Sequence, residues 1–314
     1  SFRLKEMDEV FDVMIVGAGA AGLTAGIYAS RAKLSTVILN EGAIGGQMVL
    51  TNEIANYPGV ETTNGFVLAN TMKKQAKDFG CKIKSNVKIV EYKLNEKIKS
   101  VVLNDGQTFS AKTVILAQGG RPRSLNIPGE ETFKGRGISY CATCDGEFFT
   151  DKELIVVGGG NSALEEAVTL TKYATKVTIV HQFDHFQAFE HAVQEAKNNP
   201  KIDFVMGSEL RGFFGNGKLE KVSIENLATK ELFDKKVDGT FIFIGYLPNT
   251  ESLEGVVTLN ERKEIVVDGE MRTNIPGVFA AGDCIAKRYR QVTTAVADGT
   301  VAALSASEYI RTNN

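Results

Sequence analysis

Cys141-Ala142-Thr143-Cys144-Asp145 places two thiols three positions apart, with a carboxylate directly after them. Thiols at this spacing close a small, reversible disulfide when an electron carrier loads and unloads them. Disulfide exchange needs a thiolate attacker and a leaving sulfur that can take up a proton. A helix starting at the pair lowers one thiol's pKa, and Asp145 can shuttle protons. The same cysteines would be half of a zinc site if a second ligand pair existed. There is no second Cys-x-x-Cys and no Cys-x-x-His, and His181 and His185 fall at an expected strand end and loop. No metal is expected.

Two glycine-rich turns flank the dithiol and can seat the carriers. The first is Gly17-Ala18-Gly19-Ala20-Ala21-Gly22, and the second is Gly158-Gly159-Gly160-Asn161-Ser162-Ala163. Before the first turn, Phe11 to Val16 is an apolar run that reads as a buried parallel strand. After it, 20–32 reads as a helix of small residues, and Thr36-Val37-Ile38-Leu39 as a second strand. Such glycines allow a tight turn and let backbone approach a pyrophosphate at a helix N-terminus. Glu41, 19 positions past Gly22, stands where an acid binds a ribose hydroxyl. The grammar restarts at 154–158, with a helix expected over 163–173 and a strand over 176–180. A dithiol between two nucleotide seats implies a flavin-linked disulfide reductase.

The 314 residues suffice for about two domains of about 150 residues each. The expected fold class is α/β, with two Rossmann-like three-layer nucleotide-binding domains, the second inserted into the first. Strand-like 277–283 returns to the first domain, which places both termini together. The expected boundaries are 1–121 with 247–314, and 122–246, the first crossing lying at Gly119-Gly120-Arg121-Pro122. Residues 87–109 alternate as a hairpin does, turning at Asn104-Asp105-Gly106. Lys82, Lys84, Lys88, Lys93, Lys97 and Lys99 are expected to form a solvated sheet face. A net charge of -2 gives no signal for nucleic acid or an anionic membrane, and neither is expected as partner. No apolar run is long enough to span a bilayer, and the start Ser1 to Glu6 lacks an apolar signal core. With four cysteines and no disulfide framework, a cytoplasmic setting is expected, and Cys81 and Cys284 read as small buried hydrophobes.

The chain resembles the low-molecular-weight thioredoxin reductases along essentially its whole length. The resemblance rests on Gly17 to Gly22, Gly45-Gly46-Gln47, Asn56-Tyr57-Pro58-Gly59, Cys141 to Gly146, Pro248-Asn249-Thr250, Ala281-Gly282-Asp283 and Tyr289-Arg290-Gln291. It implies FAD as cofactor, thioredoxin as substrate and a homodimer. It implies that Gly17, Ala18, Gly19, Ala20, Ala21 and Gly22 carry the FAD pyrophosphate and that Glu41 holds its ribose. Gly46, Gln47 and Asn56 would lie near the flavin. Gly282 and Asp283 would hold the ribityl or pyrophosphate region, and Arg290, Gln291 and Val292 would flank the ring. Cys144 would exchange electrons with the flavin, and Cys141 would attack thioredoxin.

One segment departs from that family. A ribose phosphate of NADPH is read by arginines, whose guanidinium binds phosphate in a bidentate, permanently charged manner. The family's His-Arg-Arg and later Arg are here His181-Gln182-Phe183 and Gln187, and Asp184 adds a negative charge. The sequence thus looks like the subgroup that takes electrons from ferredoxin. Lys287, Arg288 and Arg290 form a small basic cluster that could meet an acidic donor. Two alternatives are an atypical NAD(P)H site and a second flavin seated on Phe183 or Phe186.

Overall fold

The computed structural model describes residues 9–313. The Ser1 to Glu6 start, read above for export, lies outside the described residues. Two compact units form, Ser1–Arg121 with Leu247–Asn314, and Pro122–Tyr246.

The first unit begins with β1 (Val10–Val16), α1 (Ala20–Arg31), β2 (Thr36–Leu39), α2 (Gly65–Asp78) and β3 (Lys82–Lys84). It continues through β4 (Ile89–Lys93), β5 (Lys99–Leu103), β6 (Thr108–Leu116) and β7 (Gly120–Pro122). The second unit holds α3 (Glu130–Phe133), β8 (Ile138–Ser139), α4 (Ala142–Asp145), β9 (Glu153–Val157), α5 (Asn161–Leu170), β10 (Lys176–Val180) and α6 (Glu190–Asn198). After these come β11 (Ile202–Val205), β12 (Ser208–Phe214), β13 (Lys221–Asn226), β14 (Leu232–Lys236) and β15 (Gly239–Ile242). The chain returns by β16 (Tyr246–Pro248) to β17 (Val278–Ala280) and α7 (Val292–Thr312).

Each unit is built on a sheet of the Rossmann type. In the first, the order is β3-β2-β1-β6-β5-β4, and β17 also pairs with β6. The first half of β6 pairs antiparallel with β5, and its second half pairs in parallel with β17. The second unit has the order β11-β10-β9-β15-β8, all parallel, with β12-β13-β14 as a separate antiparallel sheet. The central strands are mostly apolar and buried because both faces are covered. Val13, Ile15 and Ile38 pack under α1 and α7, while Met14, Val16 and Leu39 pack on the opposite layer. Leu154 and Val156 likewise meet α5 and α6, with Ile155 and Val157 facing the antiparallel sheet.

α1 packs closely against α7. A Cβ built on Gly299 would lie 2.2 Å from the Ala21 carbonyl oxygen, so helix backbone rests on helix backbone. The small residues of α1 also meet the sheet, a Cβ on Gly22 falling against the Gly17 oxygen and one on Gly26 against Ile38 and Cys81.

Two expectations change. The helix of the second unit runs Asn161–Leu170 rather than 163–173, because Thr171, Lys172 and Tyr173 close tighter turns onto Val168, Thr169 and Leu170. The lysine face is not uniformly solvated. Lys82, Lys88, Lys93 and Lys97 are exposed, but Lys99 is buried. Its ammonium donates to the Leu94 and Glu96 carbonyls at 3.1 and 2.8 Å, and burial lowers its pKa. It therefore closes the turn between β4 and β5 from inside.

Gly299→Ala should destabilise the folded protein by about 1–3 kcal/mol, since the added methyl meets backbone that cannot swing aside. Gly269→Ala, with no atom within 4 Å of its built Cβ, is the control and should leave the melting temperature unchanged. Equal melting temperatures for both variants would contradict the close approach of α1 and α7.

Candidate functional site

The dithiol is set on the edge of the second unit's sheet. β8 pairs with β15 in parallel, Ile138 opposite Thr240 and Ser139 opposite Phe241. Tyr140 follows, and Cys141 is the N-cap of the single-turn α4. Cys141 and Cys144 form a disulfide with Cα atoms 5.3 Å apart. Both are half-buried, so the sulfurs sit at an accessible turn. The Cys144 N–H donates to Cys141 Sγ at 3.2 Å, and Asp145 N–H donates to the Cys141 carbonyl at 3.2 Å. Beneath them, Ala142 is buried in the core with Leu154, Leu170 and Ala174.

Two residues that sequence reasoning passed over hold this turn. Ser139 Oγ accepts from Cys141 N–H at 3.1 Å and donates to Asp145 Oδ2 at 2.5 Å. Tyr140 Oη donates to Glu130 Oε1 at 2.7 Å. The Glu130 carboxylate, 2% exposed, also accepts from the Leu125 and Asn126 amides at 3.0 and 2.7 Å. Burial first, and then the hydrogen bond to and charge of Glu130, push the Tyr140 phenol well above its usual range. The signal was present, since both polar residues directly precede the dithiol, but nothing local names their partners.

A second constellation lies at the ends of β1, β2 and β17 in the first unit. Gly17 adopts φ +108° and crosses so close to β6 that a Cβ would lie 2.1 Å from the Ala117 oxygen. The next turn glycine that faces outward, Gly19, has only Gly46 Cα near a built Cβ, at 3.9 Å. That leaves a backbone cradle at the N-terminus of α1, which has no side-chain cap. The Ala18 amide is not part of it. Its N–H donates to Asn40 Oδ1 at 2.9 Å, while Asn40 Nδ2 donates to the Gly42 and Ala43 carbonyls. Asn40, buried at the strand tip beside exposed Glu41, was not singled out from the sequence.

The other expected residues surround this cradle. Gly46 and Gln47 begin a short 3-10 turn, Gly46 packing on Gly19. Asn56 Nδ2 stands 3.5 Å from Gln291 Oε1, and Gln291 and Val292 open α7 through a capping box with Thr294. Gly282, φ +82°, packs on Ala21, and its N–H donates to Asp298 Oδ2 at 3.2 Å. Arg290 Nε donates to the Asp283 carbonyl at 3.3 Å, and its guanidinium pairs with the buried Glu264 carboxylate. An open backbone cradle, an uncapped helix start and an acid at the second strand's tip fit a dinucleotide with a pyrophosphate and a ribose.

The basic cluster is mostly spent within the fold. Lys287 pairs with Asp298 at 2.6 Å, Arg290 pairs with Glu264, and Arg288 lies over the Tyr289 ring at 5.3 Å. Cys81 and Cys284 are buried, and burial pushes both thiols up to about 11. Among the described residues, no helix is long and apolar enough to cross a membrane.

The second glycine turn repeats the first but is strapped. Gly158 N–H donates to the Val180 carbonyl, as Gly17 N–H does to Leu39. Gln187 N–H then donates to the Gly159 carbonyl at 2.8 Å, and Phe189 N–H to Asn161 Oδ1 at 2.7 Å. A Cβ on Gly159 would lie 2.3 Å from the His181 ring. That ring stacks on Phe186 and meets Phe183 edge-on, with centroids 5.9 and 5.4 Å away. Burial lowers the His181 pKa, which favours the neutral imidazole. His185 Nδ1 pairs with Asp184 at 2.7 Å. No Lys or Arg occurs from His181 to Glu190.

Comparison with known proteins agrees with this arrangement. The profile of the pyridine nucleotide-disulphide oxidoreductases matches residues 11–299. A thioredoxin reductase of Peptoclostridium acidaminophilum is 45% identical, over 98% of this chain and 99% of that protein. A 34.2 kDa protein in the rubredoxin operon of Clostridium pasteurianum is 44% identical, over 96% of this chain and 98% of that protein. The crystal structure of thioredoxin reductase from Streptococcus pyogenes superposes with a TM-score of 0.93 at 41% identity, covering 96% of this chain and 99% of that one. FAD is the cofactor of such flavoproteins and of this chain. With the matching fold, the Cys141–Cys144 disulfide and similarity along the whole length, the chain belongs to the low-molecular-weight thioredoxin reductases within the pyridine nucleotide-disulphide oxidoreductase family.

Proposed function

We propose that the protein reduces the disulfide of thioredoxin with electrons that reach FAD from a ferredoxin. The observation that carries the substrate half is the half-exposed Cys141–Cys144 disulfide, flanked by Asp145 and set on an edge strand. Gly17, Gly19, Ala20, Ala21 and Gly22 would face the FAD pyrophosphate with backbone, and Glu41 would take a ribose hydroxyl. Gly46, Gln47, Asn56, Gly282, Asp283, Arg290, Gln291 and Val292 would line the rest of the cofactor. Ala18 contributes to the turn through Asn40 rather than through a free amide. Residues 1–121 and 247–314 would form the FAD domain, and 122–246 the domain that carries the dithiol. Bound FAD supplies the electron pair that opens Cys141–Cys144.

The rest is thiol chemistry of this chain. Asp145 takes the proton of Cys141, whose thiolate attacks one substrate sulfur. A Cys141–substrate bond forms as the substrate's S–S bond breaks, and the released sulfur takes a proton. The Cys144 thiolate then attacks Cys141 Sγ, restoring the intrachain disulfide and releasing the second substrate thiol. Two electrons and two protons pass from the dithiol to the substrate.

The donor half rests on the segment 181–190. It offers no Lys or Arg to a ribose phosphate, burial favours the neutral form of His181, and its backbone is tied across the glycine turn. Losing one charge-assisted contact costs about 1.5–3 kcal/mol, so the missing arginines weaken NADPH binding by orders of magnitude. A ferredoxin near about -400 mV, reducing a thioredoxin near about -270 mV, releases about 6 kcal/mol per electron pair.

Flavin should be present at one FAD per chain in the purified protein, read from absorbance against protein mass. Cys141→Ser and Cys144→Ser should each abolish thioredoxin reduction and keep FAD bound. Near-normal turnover of either would remove the dithiol from the mechanism. In anaerobic stopped-flow, a low-potential ferredoxin should reduce the flavin rapidly, and millimolar NADPH should not. Brisk thioredoxin reduction with NADPH would overturn the donor assignment and leave the dithiol reading intact.

A further inference from the structure

We infer that Ser139 is the positioning residue that keeps the two ends of the dithiol turn together once the disulfide has opened. The inference rests on the proposed dithiol chemistry, and it concerns the turn rather than the donor or substrate.

α4 spans four residues and cannot support itself, because a helix of one turn fixes many torsions for few hydrogen bonds. In the oxidised chain the Cys141–Cys144 bond closes it covalently. On reduction that bond is lost, and so is the geometry it imposed on the two sulfurs. Backbone bonds such as Asp145 N–H to the Cys141 carbonyl persist across the turn, and one buried side chain joins its two ends to the sheet. Ser139 Oγ accepts the Cys141 N–H at 3.1 Å, so its own proton is free to be donated. Two acceptors compete for that proton, the Asp145 carboxylate at 2.5 Å and the Cys141 carbonyl at 3.3 Å. The shorter bond, to the Asp145 carboxylate, prevails. The hydroxyl therefore bridges the first residue of the turn and the last.

The anchor is rigid. Ser139 is 5% exposed and lies in register with Phe241, whose ring is fully buried in the sheet's core. An edge strand of a parallel sheet is thus the fixed post, and the turn is held to it by both ends. Restricting the reduced turn raises the effective concentration of each sulfur at the other, as loop closure does in general. Return to the disulfide is then favoured, both in the intrachain equilibrium and when Cys144 resolves a Cys141–substrate bond.

The test uses the FAD-loaded protein without thioredoxin or ferredoxin. Wild type, Ser139→Ala and Ser139→Thr are equilibrated in graded reduced and oxidised dithiothreitol, and the dithiol fraction is trapped by alkylation and read by mass. Two electrons and two protons move between the dithiothreitol pair and the Cys141–Cys144 pair. Ser139→Ala should shift the equilibrium about tenfold toward the dithiol, about 30 mV less negative in potential. Ser139→Thr, which keeps the hydroxyl, should restore it, and FAD content and melting temperature should stay at wild-type values. Asp145→Ala removes the other end of the bridge and should shift the equilibrium in the same direction. The double variant should add little to either single one. An unchanged equilibrium in Ser139→Ala, or additive shifts in the double variant, would overturn the inference. Neither result touches the reductase reading, which the Cys141→Ser and Cys144→Ser turnover measurements decide.

Discussion

Backbone that must lie against backbone has no room for a side chain, and this exclusion organises both units. At Gly17 the chain leaves β1 across the end of β6, where even a methyl would strike the Ala117 carbonyl. At Gly158 it leaves β9 in the same way, a built Cβ falling 2.2 Å from the Phe243 oxygen. Each crossing turns a buried parallel strand directly into a helix N-terminus. The first helix is drawn so close that Gly299 of α7 must also be bare. The open backbone cradle at the start of α1 follows from the same absence of side chains, because backbone amides become the available surface.

The dithiol uses a different principle. Its turn is short and has little structure of its own, so it borrows rigidity from the sheet. β8 contributes only Ile138 and Ser139, yet the parallel register with β15 is enough to fix Ser139. Tyr140 is held in turn by the buried Glu130 carboxylate, which two backbone amides compensate. Burying such a charge is costly unless its lone pairs are satisfied, and here they are. The two cysteines are thereby held at a half-buried turn on the sheet's edge.

Charge near the second glycine turn and near the end of β17 follows from pairing more than from count. The segment after β10 holds four aromatic or imidazole rings, His181, Phe183, His185 and Phe186, against one another and no cation of the Lys or Arg type. The basic residues around 287–290 are largely matched by carboxylates within the first unit. Lys287 and Gly282 share the carboxylate of Asp298, so that charge helps fix the turn that carries Asp283.

By itself, the sequence determined the features that depend on near neighbours. The glycine turns between apolar strands, the Cys-x-x-Cys with its following Asp145 and the absence of Lys and Arg from 181 to 190 are all local patterns. They are legible because strand, turn and helix periods act over a few residues. Tertiary structure decided the contacts between residues whose spacing obeys no period. Asn40 reaches back 22 positions to the Ala18 amide, Arg290 reaches 26 to Glu264, and Lys99 turns inward from a run of mostly exposed lysines. Even Ser139 and Asp145, six positions apart, meet only because β8 ends where it does on the sheet edge. A polar side chain has several possible partners in the extended chain, and the packed core leaves it one.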